Sequence, residues 1–188
     1  MIRKVFLSVL VLFMPISVFS QSVKNEVEKR ITKEEMPAEA LRRLEQMPIK
    51  LEKARLYLEQ DNEHRSVEAK VAHKGKKYSI EFEKTGNLHD IEVVITLDEI
   101  PKYIAKTIKN YLKNTYERYK IEKIQQQFSP SNTQDAFGER KNPDKYELIV
   151  ATKNKENKLE KKEIRFDPNG NLLETRKIIR RSYDFLLF

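Results

Sequence analysis

A short sequence pattern occurs twice in this chain, and an internal repeat constrains the architecture more than any other feature. The pattern runs from Phe82 through Gly86 to a Gly-Asn-Leu sequence, and it returns from Phe166 through Gly170. In both copies, alternating apolar residues precede the glycine, which supplies the positive φ that a tight turn needs. Each copy therefore predicts a β-hairpin, with Phe82 and Phe166 as equivalent buried residues.

A second repeated pattern lies upstream of each hairpin and predicts the start of a helix. Residues 31–37 read Ile-Thr-Lys-Glu-Glu-Met-Pro, and residues 95–101 read Ile-Thr-Leu-Asp-Glu-Ile-Pro. Proline is tolerated at the first helical position, and acids near a helix N-terminus complement its dipole. We therefore expect Pro37 and Pro101 to begin two equivalent helices.

The second copy is longer than the first because of a polar segment at residues 129–143 that contains prolines and Gly138. We expect this insertion to be a long, mobile loop. Helices are expected over residues 37–46 and 101–116. Strands are expected over 54–60, 67–73, 77–84, 88–95, 119–128, 146–152, 159–167 and 171–179.

This order predicts an α+β fold built from two tandem units, each a helix followed by four antiparallel strands, with the helix packed on one sheet face. The expected division is a signal peptide at residues 1–20, a first unit with its leading segment at 21–96, and a second unit at 97–188 with the inserted loop.

The helix starts and the paired Phe-x-x-x-Gly-Asn-Leu hairpins resemble the PepSY-like family, exported bacterial proteins similar to β-lactamase inhibitory protein. The resemblance implies two such units, each with its helix packed on one face of the sheet.

The N-terminus has the pattern of a secretory signal peptide. Arg3 and Lys4 precede an apolar run from Val5 to Phe19, and Ser20 precedes the expected cleavage point. The alternative is a membrane anchor, but the run is interrupted by Pro15 and is shorter than the roughly 20 residues that span a bilayer. We therefore expect a periplasmic or secreted protein without a transmembrane segment after cleavage.

Composition excludes several classes of function. The chain has no cysteine, and hence no disulfide, thiol nucleophile or cysteine-based metal site. Its formal net charge of +8 comes from interspersed lysines and glutamates, which is typical of a solvated surface rather than a nucleic-acid stripe. A basic group near the C-terminus could instead touch anionic lipid or glycan: Arg176, Lys177, Arg180 and Arg181.

No catalytic, cofactor or metal constellation is expected. His73 and His89 could approach each other across strands, but zinc needs three or four ligands, so we expect isolated surface histidines, His64 included. Helix capping or solvation at strand edges accounts for the candidate carboxylates, Asp90 among them. Asp167 and Gly170 lie in a segment that resembles a calcium loop only superficially.

Aromatic residues offer the remaining candidate site. Most tyrosines are expected to pack in the core, but a sheet face without a helix could present some of them to a partner. Tyr57, His73 and Tyr119 are the candidate partner-binding residues. We expect a noncatalytic binding module for a protein, peptide or envelope component, of undetermined oligomeric state. The alternatives are an envelope-stress protein that binds a small ligand or ion and, third, an unidentified enzyme.

Overall fold

The computed structural model describes residues 22–139, 142–153 and 156–179. The expected signal peptide at residues 1–20 lies outside the described residues, as do Arg180 and Arg181. Four strands lie between the two main helices, and four more follow the second helix. The elements are α1 (Ala38–Glu45), β3 (Arg55–Asp61), β4 (His64–His73), β5 (Lys76–Glu83), β6 (Leu88–Ile95), α2 (Lys102–Thr115), β7 (Tyr119–Phe128), β8 (Lys145–Lys153), β9 (Leu159–Phe166) and β10 (Leu172–Ile178).

Both helices begin in the same way. A short 3₁₀ turn precedes each of them, and in each turn a glutamate caps a threonine: the Thr32 backbone N–H donates to Glu35 Oε2 at 2.8 Å, and the Thr96 N–H donates to Glu99 Oε2 at 2.8 Å. Pro37 and Pro101 occupy the N-cap position rather than the first helical residue. The repeated Thr-x-x-Glu spacing is thus a capping box that orients the chain into the helix.

The strands of the described residues form one sheet, with β1 (Ser22–Lys24) at one edge, β2 (Glu26–Ile31) at the other, and the order β1-β10-β9-β8-β7-β6-β5-β4-β3-β2. The leading segment supplies these two outermost strands, which the sequence did not predict. β1 pairs in parallel with β10, whereas β2 pairs antiparallel with β3. Because these two strands follow each other in the chain, the leading segment joins the two edges of the sheet and draws it into a nearly closed barrel.

Hydrogen bonds and an ion pair hold this closure in place. The Asn25 backbone N–H donates to Asp61 Oδ1 at 3.0 Å, and the Ile179 N–H donates to the Lys24 carbonyl at 2.9 Å. The Arg176 guanidinium also donates to Asp61, so β10 and β3 are bridged by an ion pair across the seam. Closure satisfies the edge groups that an open sheet would leave unpaired.

The sheet has one apolar face and one charged face. On β5, Tyr78, Ile80 and Phe82 are buried on the helix side, while Ser79 and Glu81 alternate onto the opposite side. Buried residues of both helices, such as Leu44 and Ile108, belong to the same core. Phe82 and Phe166 are both fully buried, as the repeat predicts. The period-two pattern therefore places the helices on a single face of the sheet.

The turn glycines contact the helices. Gly86 has φ +88° and Gly170 has φ +86°, and each donates its N–H to the carbonyl three residues before it. A Cβ on Gly86 would lie 2.8 Å from the Ala40 backbone nitrogen in α1, and one on Gly170 would lie 3.1 Å from the Ile104 carbonyl oxygen in α2. Equivalence of the two halves as repeated units stays a prediction.

The insertion contains regular secondary structure. Residues 130–132 form a 3₁₀ turn and α3 (Thr133–Phe137) follows it. Ala136 is fully buried, and the Phe137 ring stacks on Tyr78 with centroids 5.1 Å apart. The expectation of a loop is wrong for this part of the insertion, because α3 contacts β6 and β7 and buries Ala136; the mobility of the segment stays a prediction.

Candidate functional site

The charged face of the sheet encloses a cavity of about 90 Å³. We call it the acidic cavity. Eight of its lining residues are carboxylic acids, three are lysines and one is a serine: Glu26, Glu28, Glu59, Glu68, Glu81, Asp90, Glu92, Glu147, Lys24, Lys70, Lys123 and Ser79. Since the whole chain carries a formal net charge of +8, this local excess of acid is opposite in sign to the rest of the molecule.

Two of the lysines are already engaged. Lys24 Nζ lies 2.7 Å from Glu26 Oε2 and 2.8 Å from Glu163 Oε2, just beyond the cavity lining. Lys70 Nζ lies 2.5 Å from Glu28 Oε1 and 3.1 Å from Glu68 Oε2. Both lysines therefore bridge two carboxylates, and the leading segment contributes to each bridge.

Other carboxyl groups in the cavity have no such partner. Among the described residues, no lysine or arginine lies within ion-pair distance of Glu59 or Glu92. Burial raises the pKa of Glu59 to about 9, and the charges of Glu26 and Glu81 add to the shift. The pKa of Glu92 is also raised well above its ordinary value, by burial and then by the charge of Glu147.

Glu147 is almost fully buried at the far side of the cavity. Burial raises its pKa to about 7, with a further contribution from the charge of Glu163, while Lys24 and Arg165 oppose the rise. Together with Glu59 and Glu92, it gives the cavity three carboxyl groups whose pKa values are raised, because burial and neighbouring carboxylates disfavour their ionisation. A positively charged group entering the cavity would allow these carboxyls to ionise.

Two histidines lie beside one end of the cavity, next to its lining residues Glu81 and Asp90. His89 Nδ1 lies 3.2 Å from Asp90 Oδ2 and 3.5 Å from Glu81 Oε2, and the His64 ring centroid is 6.0 Å from that of His89. We call these four residues the histidine end. The pKa of His89 is raised to about 10 by its hydrogen bonds to Asp90 and then Glu81. The expectation of isolated histidines is wrong for His64 and His89.

Asp90 is the most enclosed member of the histidine end. It is 5% exposed, and its Oδ2 accepts a hydrogen bond of 2.5 Å from Gln127 Nε2. Its Oδ1 is buried and accepts no hydrogen bond from any described residue. The prediction that solvation at a strand edge accounts for Asp90 is therefore wrong.

The three aromatic candidates do not form one site. Tyr57 lies on the charged face, where Lys70 Nζ is 5.0 Å from its ring centroid. His73 lies on the helix side, with its ring 5.9 Å from Tyr78 and 6.0 Å from Phe137. Tyr119 is 36% exposed at the start of β7. A partner-binding role for these residues stays a prediction, and the face opposite the helices presents mainly charged groups instead.

Sequence reasoning missed the acidic cavity, although its signal was present. On β6, Asp90 and Glu92 alternate with the apolar residues Ile91 and Val93, which indicates two faces but does not show that the polar face is enclosed. The enclosure requires the leading segment, and residues 22–31 are too charged to predict as sheet-closing strands.

No family model matches the sequence, and no curated protein matches it. Solved structures with a similar fold exist. A DUF2874 family protein from Bacteroides ovatus has a TM-score of 0.51 at 14% identity, covering 76% of this chain and 87% of that one. A Bacteroides eggerthii protein named as a candidate periplasmic protein has a TM-score of 0.51 at 16% identity, covering 76% and 88%. These likenesses support the fold.

A third similar structure is a BLIP-like protein from Bacteroides fragilis, with a TM-score of 0.45 at 16% identity over 75% of this chain and 86% of that one. The PepSY-like resemblance stays a prediction, since no family model confirms it. Within the described ranges, no helix is both long and apolar enough to cross a bilayer.

Proposed function

We propose that this protein is an exported, noncatalytic binding protein whose acidic cavity receives a positively charged group of its ligand. The observation that carries the proposal is the cavity lining, in which eight carboxylic acids face three lysines. Ionising buried carboxyl groups is costly unless a counter-charge compensates them, so a cation in the cavity would let groups such as Glu59 ionise and would be held by their charge.

Export is part of the same proposal. The charged and apolar pattern of residues 1–20 is typical of a secretory signal, and one structure of similar fold is named as a candidate periplasmic protein. A periplasmic or secreted location also brings the cavity into contact with amines, cations and basic protein segments of the envelope. We also propose that the protein consists of two tandem units, each a helix followed by four strands.

Three kinds of ligand carry a suitable group: a lysine or arginine side chain of a protein or peptide, a free polyamine, and a metal ion. Isothermal titration with a tri-lysine peptide, spermidine and Ca²⁺ as separate probes distinguishes these sources. We expect one of them to bind at a single site. Because a bound cation lowers the pKa of Glu59 from about 9, binding at pH 7.5 should release protons, and affinity should rise between pH 7 and 9.

A matched pair of variants locates the site. Glu59→Gln removes a carboxyl of the cavity, and we expect it to weaken binding at least 10-fold without lowering the free energy of unfolding. Glu117→Gln makes the same chemical change at an exposed position between α2 and β7 and should leave binding unchanged. Absence of binding by all three probes, or equal losses in the two variants, would contradict the proposal.

A further inference from the structure

We propose that the histidine end of the acidic cavity binds a divalent transition-metal ion of the zinc class through Glu81, His89 and Asp90, with His64 as the fourth ligand. This inference shares the cavity with the proposed function, but it concerns different residues and is tested by different variants.

The spacing of the potential ligand atoms fits such an ion. One atom from each of Glu81, His89 and Asp90 lies within 4.8 Å of the other two. Metal–ligand bonds of about 2.0–2.1 Å in a tetrahedral site place neighbouring ligand atoms roughly 3.3 Å apart. His89 Nδ1 is 3.5 Å from Glu81 Oε2 and 3.2 Å from Asp90 Oδ2, so the groups are already near these separations.

A β-bulge brings His89 to this place. In the β5–β6 ladder Glu81 pairs with Asp90, but Phe82 pairs with Leu88, so His89 is an extra residue on β6. Successive residues of a regular strand face opposite sides of the sheet. The bulge therefore lets His89 and Asp90 turn toward the same group, which is the way that bulges re-aim side chains beside functional sites.

Asp90 provides a separate indication of a ligand. It lines the cavity, it is 5% exposed, and its Oδ1 has no hydrogen-bond donor among the described residues. Buried polar atoms nearly always have a partner. Its Oδ2, the oxygen 3.2 Å from His89 Nδ1, also accepts a hydrogen bond from Gln127 Nε2, which orients the carboxylate as an outer-shell residue orients a metal ligand.

The residue types select the class of ion. Imidazole nitrogens combined with carboxylates suit zinc and neighbouring transition metals, whereas Ca²⁺ takes six to eight oxygen ligands and Mg²⁺ keeps several waters. The His64 ring lies 6.0 Å from the His89 ring, and two imidazoles bound to one ion have centroids roughly 5 Å apart. His64 is exposed and lies outside the group of three, so its side chain would have to move toward them to complete the set.

Zn²⁺ titration of the tag-free protein by calorimetry tests the site, with Co²⁺ as a spectroscopic probe of four-coordinate geometry. We expect one equivalent of Zn²⁺ to bind, and Co²⁺ to give visible absorption that Zn²⁺ abolishes. His89→Ala should weaken Zn²⁺ binding by about 100-fold or more, and His64→Ala by about 10-fold or more. Asp90→Asn provides a near-isosteric second variant if His89→Ala fails to fold.

His73→Ala is the matched control, because His73 lies on the other face of the sheet against Tyr78 and Phe137. Zinc binding that His73→Ala weakens as much as His89→Ala does, or no binding at micromolar Zn²⁺, would overturn the proposal. Unchanged affinity in His64→Ala would overturn the assignment of the fourth ligand.

Glu59→Gln separates the two proposals. It should retain the zinc site while losing the cation of the proposed function. Zinc binding that depends on Glu59 but not on His89 would move the ion to the middle of the cavity and overturn the present assignment. Failure of spermidine, tri-lysine peptide and Ca²⁺ to bind would refute the proposed function without affecting the zinc result.

Discussion

Three glycines with positive φ allow the contribution of helix contact to be separated from backbone strain. Gly75, Gly86 and Gly170 have φ of +77°, +88° and +86°, so an alanine at any of them adopts nearly the same left-handed backbone. Their surroundings differ. A Cβ on Gly75 meets nothing within 4 Å, whereas a Cβ on Gly86 would lie 2.8 Å from both the Ala40 nitrogen and Glu39 Cβ.

The magnitudes follow from these distances. Left-handed backbone costs a non-glycine residue about 1–2 kcal/mol, and the loss of unfolded-state freedom returns about 0.4–1 kcal/mol. We therefore expect Gly75→Ala to lower the free energy of unfolding by about 1 kcal/mol. Overpacking adds about 1–3 kcal/mol. Gly86→Ala should thus cost about 3 kcal/mol, since its clash is with helix backbone that cannot rotate away.

Gly170→Ala should fall between these values, at about 2 kcal/mol, because its Cβ would lie 3.1–3.3 Å from Ile104 and Thr107 and needs only a small shift. Urea unfolding of the three variants and the wild type measures the series. Equal losses at all three positions would refute helix contact as the reason for glycine. A loss at Gly170 with none at Gly86 would refute the equivalence of the two hairpins.

The remaining predictions concern the core and the cavity. Phe82→Ala and Phe166→Ala should each lower the free energy of unfolding by about 3–5 kcal/mol, since both rings are fully buried; in urea titrations, a small loss at one position alone would contradict a matched pair. The pKa of Glu147 is about 7 in the folded protein, above its unfolded value, so the stability associated with it is present below about pH 4.5 and is lost as pH rises through 7. Glu147→Gln should not show this loss, so its free energy of unfolding should rise relative to that of the wild type by up to about 3 kcal/mol between pH 5 and 8. If the two proteins lose stability in parallel over this pH range, the pKa of Glu147 is not raised.

Local sequence patterns predict the secondary structure of this chain well. The expected strand at residues 88–95 coincides with β6, and the expected helix at 101–116 differs from α2 by one residue at each end. The signals are local: a Thr-x-x-Glu capping box, a period-two alternation, and a glycine that must have positive φ. In β5 and β9, the same alternation also indicates which residues are buried beneath the helices, namely Tyr78, Ile80 and Phe82 in one and Ile164 and Phe166 in the other.

The tertiary structure alone determines the barrel closure and the acidic cavity. β1 pairs with β10 and β2 with β3, and these partners are remote in sequence from the leading segment. A period-two pattern shows that Asp90 and Glu92 share a face, but solvent and an enclosed cavity produce the same pattern. His89 lies beside Asp90 because β6 has one extra residue in its pairing with β5. Strand register depends on both paired strands, so neither segment of the sequence determines it alone.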